Sequence, residues 1–279
     1  MMNELQEFEG VERPYGKLNP DDPHWSSGIA LLVWVTSVLL VMFVPFLFLI
    51  PYIFFKLDGG TFDQTQIGEI ATKDPTAILI QIVAILPVHL ITLLVGWYVV
   101  TNFRKFPFRE SLGWRSGGMR WWHHVLVLVG FLLVMILVGR LMPEQDNDLL
   151  RIIRSSKGAL YAVAFFAVVT APVVEELVYR GILYSAFQRS IGTVGSVALV
   201  TFLFALVHVP QYYPSISTII LLTLLSLILT LVRVTTGNLL PCIILHMIFN
   251  GFQSAMLIAE PHLNVPSPTI EQAAMFLAK

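Results

Sequence analysis

The feature that most constrains this 279-residue chain is a series of seven stretches, each long and apolar enough to cross a membrane as a helix. A helix that spans about 30 Å of hydrocarbon needs about 20 mostly apolar residues. Pro172 falls inside the longest stretch and predicts a kink or a break there, so the expected number of spans is seven or eight. The stretches are residues 29–55, 76–101, 122–142, 159–187, 192–209, 216–235 and 238–259.

The composition of the chain favours the same class of protein. Hydrophobic residues make up 56% of the chain and charged residues 13%, whereas a soluble domain has about 25% charged residues. A single cysteine excludes a disulfide scaffold, and a net charge of −1 argues against a nucleic-acid partner, which selects a basic face. The sequence therefore predicts an all-α, polytopic bundle of transmembrane helices.

The pattern of apolar stretches divides the chain into four regions. Residues 1–28 are predicted to be a polar N-terminal tail, and residues 260–279 a C-terminal tail. Residues 29–158 hold three membrane spans with their loops, and residues 159–259 hold a membrane core. The loop at residues 102–121 carries five Lys and Arg residues, against three in the next loop. By the positive-inside rule this loop and the N-terminus are predicted to be cytoplasmic.

The predicted core contains two adjacent acidic residues, Glu175 and Glu176, and no others between positions 149 and 259. An unpaired charge inside a bilayer costs several kcal/mol, so each such residue needs a physical reason. Arg180 follows Glu176 by one helical turn and shares its face, which predicts an ion pair. Consecutive residues of a helix are about 100° apart, so the two glutamates cannot both point at the same water.

Two later stretches add further polar residues at helical spacing. His208 follows Phe204 by four residues, and His246 precedes Asn250 by four. A helix rises by about 1.5 Å per residue, and counting from the nearest loops gives the depth of each residue in the membrane. The depths of Glu175, His208, His246 and Asn250 fall within a band of roughly 12 Å. The sequence therefore predicts that side chains from three helices meet in one cavity.

Such a cluster suits hydrolysis. A carboxylate beside a histidine can take a proton from a water molecule. An imidazole and an asparagine amide can donate hydrogen bonds to the oxyanion of a tetrahedral intermediate. No nucleophilic serine accompanies them, and Cys242, four residues before His246, is expected to be a small buried apolar residue.

Three motifs occur in order on successive apolar stretches: EELVYR, FALVH and HMIFN, which match E-E-x-x-x-R, F-x-x-x-H and H-x-x-x-N. Over residues 159–255 the chain thereby resembles the CPBP family, also called Abi, of intramembrane proteases, which includes the type II CAAX prenyl endopeptidases. The resemblance implies an endopeptidase that hydrolyses peptide bonds with a water activated by Glu175, assisted by His208 and without a metal cofactor.

The same resemblance assigns the remaining motif residues and the setting of the reaction. His246 and Asn250 would stabilise the oxyanion, while Glu176 and Arg180 would support the site. The substrate would be a peptide or protein, with or without a lipid group, in contact with membrane lipid. The protein would be a multi-pass component of a bacterial plasma membrane.

Two other functions use the same residues. A zinc metalloprotease would take Glu175, His208 and His246 as ligands, because two histidines and a carboxylate suit a catalytic zinc ion. The chain has no H-E-x-x-H pair, however. A non-catalytic immunity or transport protein would use the cluster for binding or for proton relay. His89, beside Pro87, is predicted to be structural and to bond carbonyl groups that a kink leaves unpaired.

Overall fold

The computed structural model describes residues 19–58 and 63–260, and every regular element within these ranges is a helix. Most of the predicted tails, residues 1–18 of the N-terminal one and residues 261–279 of the C-terminal one, lie outside the described residues. The elements are α1 (Ser27–Leu57), α2 (Gln64–Lys73), α3 (Pro75–Val83), α4 (Ile85–Thr101), α5 (Phe108–Ser111), α6 (Trp121–Leu141), α7 (Asp148–Ser155), α8 (Lys157–Phe165), the π-helical segment π1 (Phe166–Thr170), α9 (Ala171–Glu176), the π-helical segment π2 (Leu177–Leu183), α10 (Tyr184–Tyr212), α11 (Ile216–Thr236) and α12 (Leu239–Ala259).

Six helical runs in the described part of the chain are long and apolar enough to cross a membrane. The predicted all-α, polytopic class is confirmed, but the count of seven or eight spans is not. The stretches at residues 159–187 and 192–209 belong to one run of 56 residues, Lys157–Tyr212. This run bends at Gly192, whose φ of 74° and ψ of 173° are not helical. Glycine adopts this positive φ at little steric cost, so helix continues on both sides of the bend.

Capping side chains set the boundaries of several helices. Asp74 accepts a hydrogen bond from the backbone N–H of Thr76 and precedes Pro75, the first residue of α3. Asn238 caps the start of α12, and Gly237 ends α11 in the left-handed conformation at a φ of 58°. Asp74 and Asn238 accept hydrogen bonds from backbone N–H groups that the start of a helix leaves without partners. Gly237 ends its helix because glycine adopts the left-handed conformation easily.

Pro172 lies in α9, between the two π-helical segments. The helix is therefore irregular on both sides of the proline, where the sequence predicts a kink or a break. In a π-helix each backbone N–H donates to the carbonyl five residues earlier, as Ala171 does to Phe166. Pro172 would be next in this series, but proline has no N–H. The carbonyl of Ala167 therefore needs a donor from elsewhere.

The long run Lys157–Tyr212 occupies the centre of the fold. α10 packs along α11, α12 packs on π1, α9 and α11, and both α1 and α4 pack on π2. In lipid, apolar side chains gain little by leaving their solvent, so close packing and a few polar contacts specify the arrangement. The side chains that are almost completely buried between these helices include Leu177, Ile182, Leu183, Phe204 and Leu239.

Residues 19–26 form an N-terminal strap that closes one end of the core, although they belong to the predicted polar tail. Trp25 is 1% exposed, and its indole N–H donates to the carbonyl of Ile182 at 3.1 Å. A buried indole whose N–H has a partner is a strong anchor, which explains why this part of the tail is fixed. Two ion pairs attach the same strap, Asp21 with Arg233 at 2.8 Å and Asp22 with Arg189 at 3.3 Å.

Candidate active site

Glu176 and Arg180 form a buried ion pair, as their spacing predicts. Nη1 of Arg180 donates to Oε1 of Glu176 at 2.9 Å, and both side chains are 0% exposed. The other guanidinium donors reach α11: Nε bonds the hydroxyl of Thr230 at 3.2 Å, and Nη2 bonds the carbonyl and hydroxyl of Ser226, each at 2.8 Å. A buried ion pair is tolerated when its hydrogen bonds are satisfied, and this one ties α9 and π2 to α11.

Glu176 has a second partner on α12. Its Oε1 also accepts a hydrogen bond from Nδ1 of His246 at 2.8 Å, and the His246 side chain is 3% exposed. Because an ionised carboxylate only accepts, the proton lies on Nδ1 and the ring presents Nε2 to the rest of the site. Glu176 therefore orients an imidazole as well as pairing with Arg180.

Glu175 is the more exposed of the two glutamates. Its side chain is 25% exposed, and its Oε2 lies 3.9 Å from Nε2 of His246. This separation is longer than a direct hydrogen bond, and one water molecule can contact both atoms. The two glutamates thus approach opposite nitrogens of the same imidazole, as the 100° rotation between consecutive helical residues allows.

Phe204 of α10 lies between polar groups from three helices. Its ring centroid is 4.7 Å from the ring of His208 and 6.2 Å from the ring of His246, and the guanidinium carbon of Arg180 lies 5.0 Å from it. Nδ1 of His208 donates to the carbonyl of Phe204 at 2.7 Å, which leaves Nε2 as an acceptor. No hydrogen bond or ion pair joins His208 to Glu175 within the described residues.

Asn250, one turn after His246, contacts the irregular part of the long run. Its Nδ2 donates to the carbonyl of Ala167 at 2.8 Å. This is the carbonyl that Pro172 leaves without a backbone donor. The residue predicted to bind an oxyanion therefore has a structural contact, and the second hydrogen of its amide remains for other partners.

The link between Asn250 and Pro172 is testable by a double-mutant cycle. We expect Asn250→Ala to lower the free energy of unfolding by about 1–3 kcal/mol, because a shielded carbonyl loses its donor. Pro172→Ala restores an N–H at the matching position, so Asn250→Ala should cost much less in that background. Unfolding in detergent micelles measures both costs, and equal costs in the two backgrounds would contradict the link. If Asn250 also binds an oxyanion, hydrolysis stays low in the double variant despite the recovered stability.

Three side chains that are not among the predicted catalytic or supporting residues interact electrostatically with Glu175: His89 of α4, Tyr179 of π2 and Tyr212 of α10. His89 is buried, and its Nδ1 forms a hydrogen bond of 2.8 Å with the hydroxyl of Thr170. The prediction that His89 bonds backbone carbonyls is therefore wrong for Nδ1. α4 packs on π1 and α9, which brings this histidine to the motif-bearing run.

The residues considered as zinc ligands are not arranged around a common point. Within residues 19–58 and 63–260, no three His, Cys, Asp or Glu side chains form a group that could hold a metal ion. His246 uses Nδ1 for Glu176, and the ring of Phe204 packs against the rings of both His208 and His246. The geometry does not favour the zinc alternative.

The partners of Arg180 on α11, Ser226 and Thr230, were not among the predicted site residues. Ser226 and Thr230 are four residues apart in an otherwise apolar stretch, and both are fully buried. Hydroxyl residues four positions apart share a helix face, so this spacing indicates a polar contact inside the bundle.

Comparison with known proteins confirms the resemblance that the motifs indicate. Residues 157–252 match the family Type II CAAX prenyl endopeptidase Rce1-like. The matched region begins with α8 and ends within α12, so it includes all the predicted site residues and excludes the first three spans. No curated protein and no solved structure matches the chain. The family match implies a protease, and the six apolar runs describe a multi-pass integral membrane protein.

Proposed function

Since the helices that carry the polar cluster resemble type II CAAX prenyl endopeptidases, we propose that the chain is an intramembrane endopeptidase in which Glu175 activates the attacking water. The observation that supports this most is the contrast between the two glutamates. Glu176 is 0% exposed and is bonded to Arg180 and His246, whereas Glu175 is 25% exposed and faces an imidazole nitrogen at 3.9 Å. A general base must reach water and must not be held by a permanent counter-charge.

The proposed reaction needs one proton shuttle and one oxyanion site. Glu175 takes a proton from water as the water oxygen attacks the carbon of the peptide carbonyl, and the carbonyl oxygen becomes negatively charged. Asn250 offers its second amide hydrogen to this oxyanion, and His246 offers Nε2–H when its ring is protonated. When the tetrahedral intermediate collapses, the C–N bond breaks and the proton on Glu175 passes to the leaving amine.

Glu175 and Glu176 together balance the two positive charges, Arg180 and a protonated His246, that this proposal places inside the membrane. A neutral imidazole that donates through Nδ1 has no hydrogen on Nε2, so it cannot donate to an oxyanion. The charges of Glu176 and Arg180 cancel, and an ionised Glu175 with a protonated His246 forms a second neutral pair. Neutral, hydrogen-bonded pairs avoid the cost of an isolated buried charge. In this proposal His208 helps to hold the water by accepting a hydrogen bond at Nε2.

The substrate that fits this proposal is a peptide or protein whose scissile bond reaches the membrane interior, with or without an attached lipid. Glu175 and its partners lie on helices that the bilayer surrounds, so the peptide must contact membrane lipid on its way to the site. We assign the protein to a bacterial plasma membrane as part of the same proposal.

The test is hydrolysis by the purified full-length chain in lipid nanodiscs. Two fluorogenic peptides of identical CAAX-type sequence serve as probes, one with a farnesyl group on its cysteine and one without. We expect cleavage of at least one peptide, at a rate above that of nanodiscs that contain Glu175→Gln. Cleavage of neither peptide, together with identical protein termini in membranes expressing the two forms, would contradict the proposal.

The proposed mechanism also predicts the response to metal removal. Because Glu175 activates the water without a Lewis acid, treatment with EDTA and 1,10-phenanthroline should leave the rate of hydrolysis unchanged. Metal content of the purified protein is measured in parallel by mass spectrometry. A loss of activity that stoichiometric zinc restores would instead support the zinc alternative.

A further inference from the structure

The side chains assigned to the oxyanion have most of their hydrogen-bond donors committed elsewhere. Asn250 uses one amide hydrogen for the carbonyl of Ala167, and His246 uses Nδ1–H for Glu176. Arg180 is engaged through Nε, Nη1 and Nη2. A preorganised oxyanion donor contributes about 10²–10³-fold in rate, so an additional uncommitted donor near Glu175 has catalytic value.

Tyr212 is a candidate for this additional hydrogen-bond donor. It is the last residue of α10, and it follows His208 by one turn and Phe204 by two, so the three side chains share a face of the helix. The ring centroids of His208 and Tyr212 are 6.3 Å apart, with 32° between the ring planes. Tyr212 therefore extends the aromatic row that begins at Phe204, towards the end of the helix.

The hydroxyl of Tyr212 has no partner of its own in the described part of the chain, although the residue is half-buried. By contrast, the hydroxyl of Tyr179 accepts a hydrogen bond from Nε1 of Trp34 at 3.0 Å. The carboxylates of Glu175 and of Glu144 both act electrostatically on the phenol of Tyr212. A tyrosine hydroxyl that no protein group occupies is available to donate a hydrogen bond to a bound substrate.

We propose that Tyr212 is a catalytic residue whose O–H donates a hydrogen bond to the oxyanion of the tetrahedral intermediate. The inference rests on the proposed hydrolysis and adds a donor that none of the three motifs contains. A phenol is neutral and is a hydrogen-bond donor at neutral pH, so it stabilises a developing negative charge without adding a permanent charge to the membrane interior.

The decisive comparison is between Tyr212→Phe and Tyr213→Phe. The two tyrosines are adjacent in sequence, but Tyr213 is 65% exposed whereas Tyr212 is half-buried. With the farnesylated and unmodified probe peptides in nanodiscs, Tyr212→Phe should lower kcat by about 10²–10³-fold and leave KM and the melting temperature close to those of the wild type. Tyr213→Phe should leave kcat, KM and the melting temperature unchanged.

Inhibition by a phosphinic peptide of the same sequence separates oxyanion binding from indirect effects, because the phosphinate is a stable tetrahedral anion. We expect its inhibition constant to rise for Tyr212→Phe by the same factor as kcat/KM falls. A wild-type kcat for Tyr212→Phe overturns the inference. A reduced kcat with unchanged phosphinate inhibition also overturns it, since the hydroxyl would then act through Glu175. A wild-type chain that cleaves neither probe, and whose membranes show the same protein termini as those expressing Glu175→Gln, overturns the proposed function itself and this inference with it.

Discussion

Replacing Glu175 by glutamine should reduce kcat/KM for peptide hydrolysis by about 10²–10⁴-fold, the usual contribution of a general base. Glutamine keeps the size and shape of the side chain but does not take a proton from water. In the described part of the chain the ion-pair partner of Arg180 is Glu176 and not Glu175, so the melting temperature should stay close to that of the wild type. The measurement is the rate of probe cleavage at equal amounts of folded protein in nanodiscs.

The matched control for this substitution is Glu69→Gln on α2. The side chain of Glu69 is 59% exposed and pairs with Lys73 at 2.8 Å, far in sequence from the motifs. It changes the charge of the chain in the same way and should leave hydrolysis unaltered. If Glu175→Gln keeps more than about a tenth of the wild-type rate, Glu175 is not the general base.

Replacing Arg180 by methionine should lower the free energy of unfolding by about 3–5 kcal/mol, the cost of breaking a buried ion pair by removing one partner. The substitution leaves the Glu176 carboxylate at 0% exposure without its counter-charge. It also removes the hydrogen bonds to Ser226 and Thr230, which join π2 to α11. Denaturant titration in mixed micelles measures the loss.

Arg154→Met is the control for the buried pair, because Arg154 forms an ion pair of the same length on the surface. Its Nη1 lies 2.8 Å from Oδ1 of Asp146, and the two side chains are 57% and 78% exposed. This pair should contribute about 0–1 kcal/mol. Adding Glu176→Gln to Arg180→Met should recover part of the stability, since the stranded charge disappears. Equal losses for the two arginine variants would show that Arg180 is not a stabilising centre of the core.

The contacts within one helix were the most accessible from sequence. The ion pair of Glu176 with Arg180 follows from a spacing of one turn, and the hydrogen bond from His208 to the carbonyl of Phe204 has the same spacing. The depth estimate also placed Glu175 and His246 at compatible heights, because helical rise per residue varies little. Local geometry of this kind depends only on the backbone being helical.

The individual contacts between helices could not be predicted from the sequence, because they depend on how each helix is rotated and where it bends. The hydrogen bond of His246 to Glu176 joins residues 70 positions apart, and that of Asn250 to Ala167 joins residues 83 apart. The second of these depends on π-helical turns, which no residue pattern announces beyond the presence of Pro172. The span count is not confirmed for a related reason: the apolar stretches at residues 159–187 and 192–209 meet at a kink at Gly192 and form one long helical run.

The N-terminal strap gives the molecule a fixed order of completion during synthesis. Trp25 bonds a carbonyl 157 positions further along, and Arg233 bonds the carbonyl of Pro20 across 213 positions. The strap therefore leaves the ribosome long before its partners, and its contacts cannot be complete until both π2 and α11 have been made. Contacts between such distant positions form late, because the intervening chain must first be ordered. The strap is thus fastened in two steps, first to π2 through Trp25 and then to α11 through Pro20.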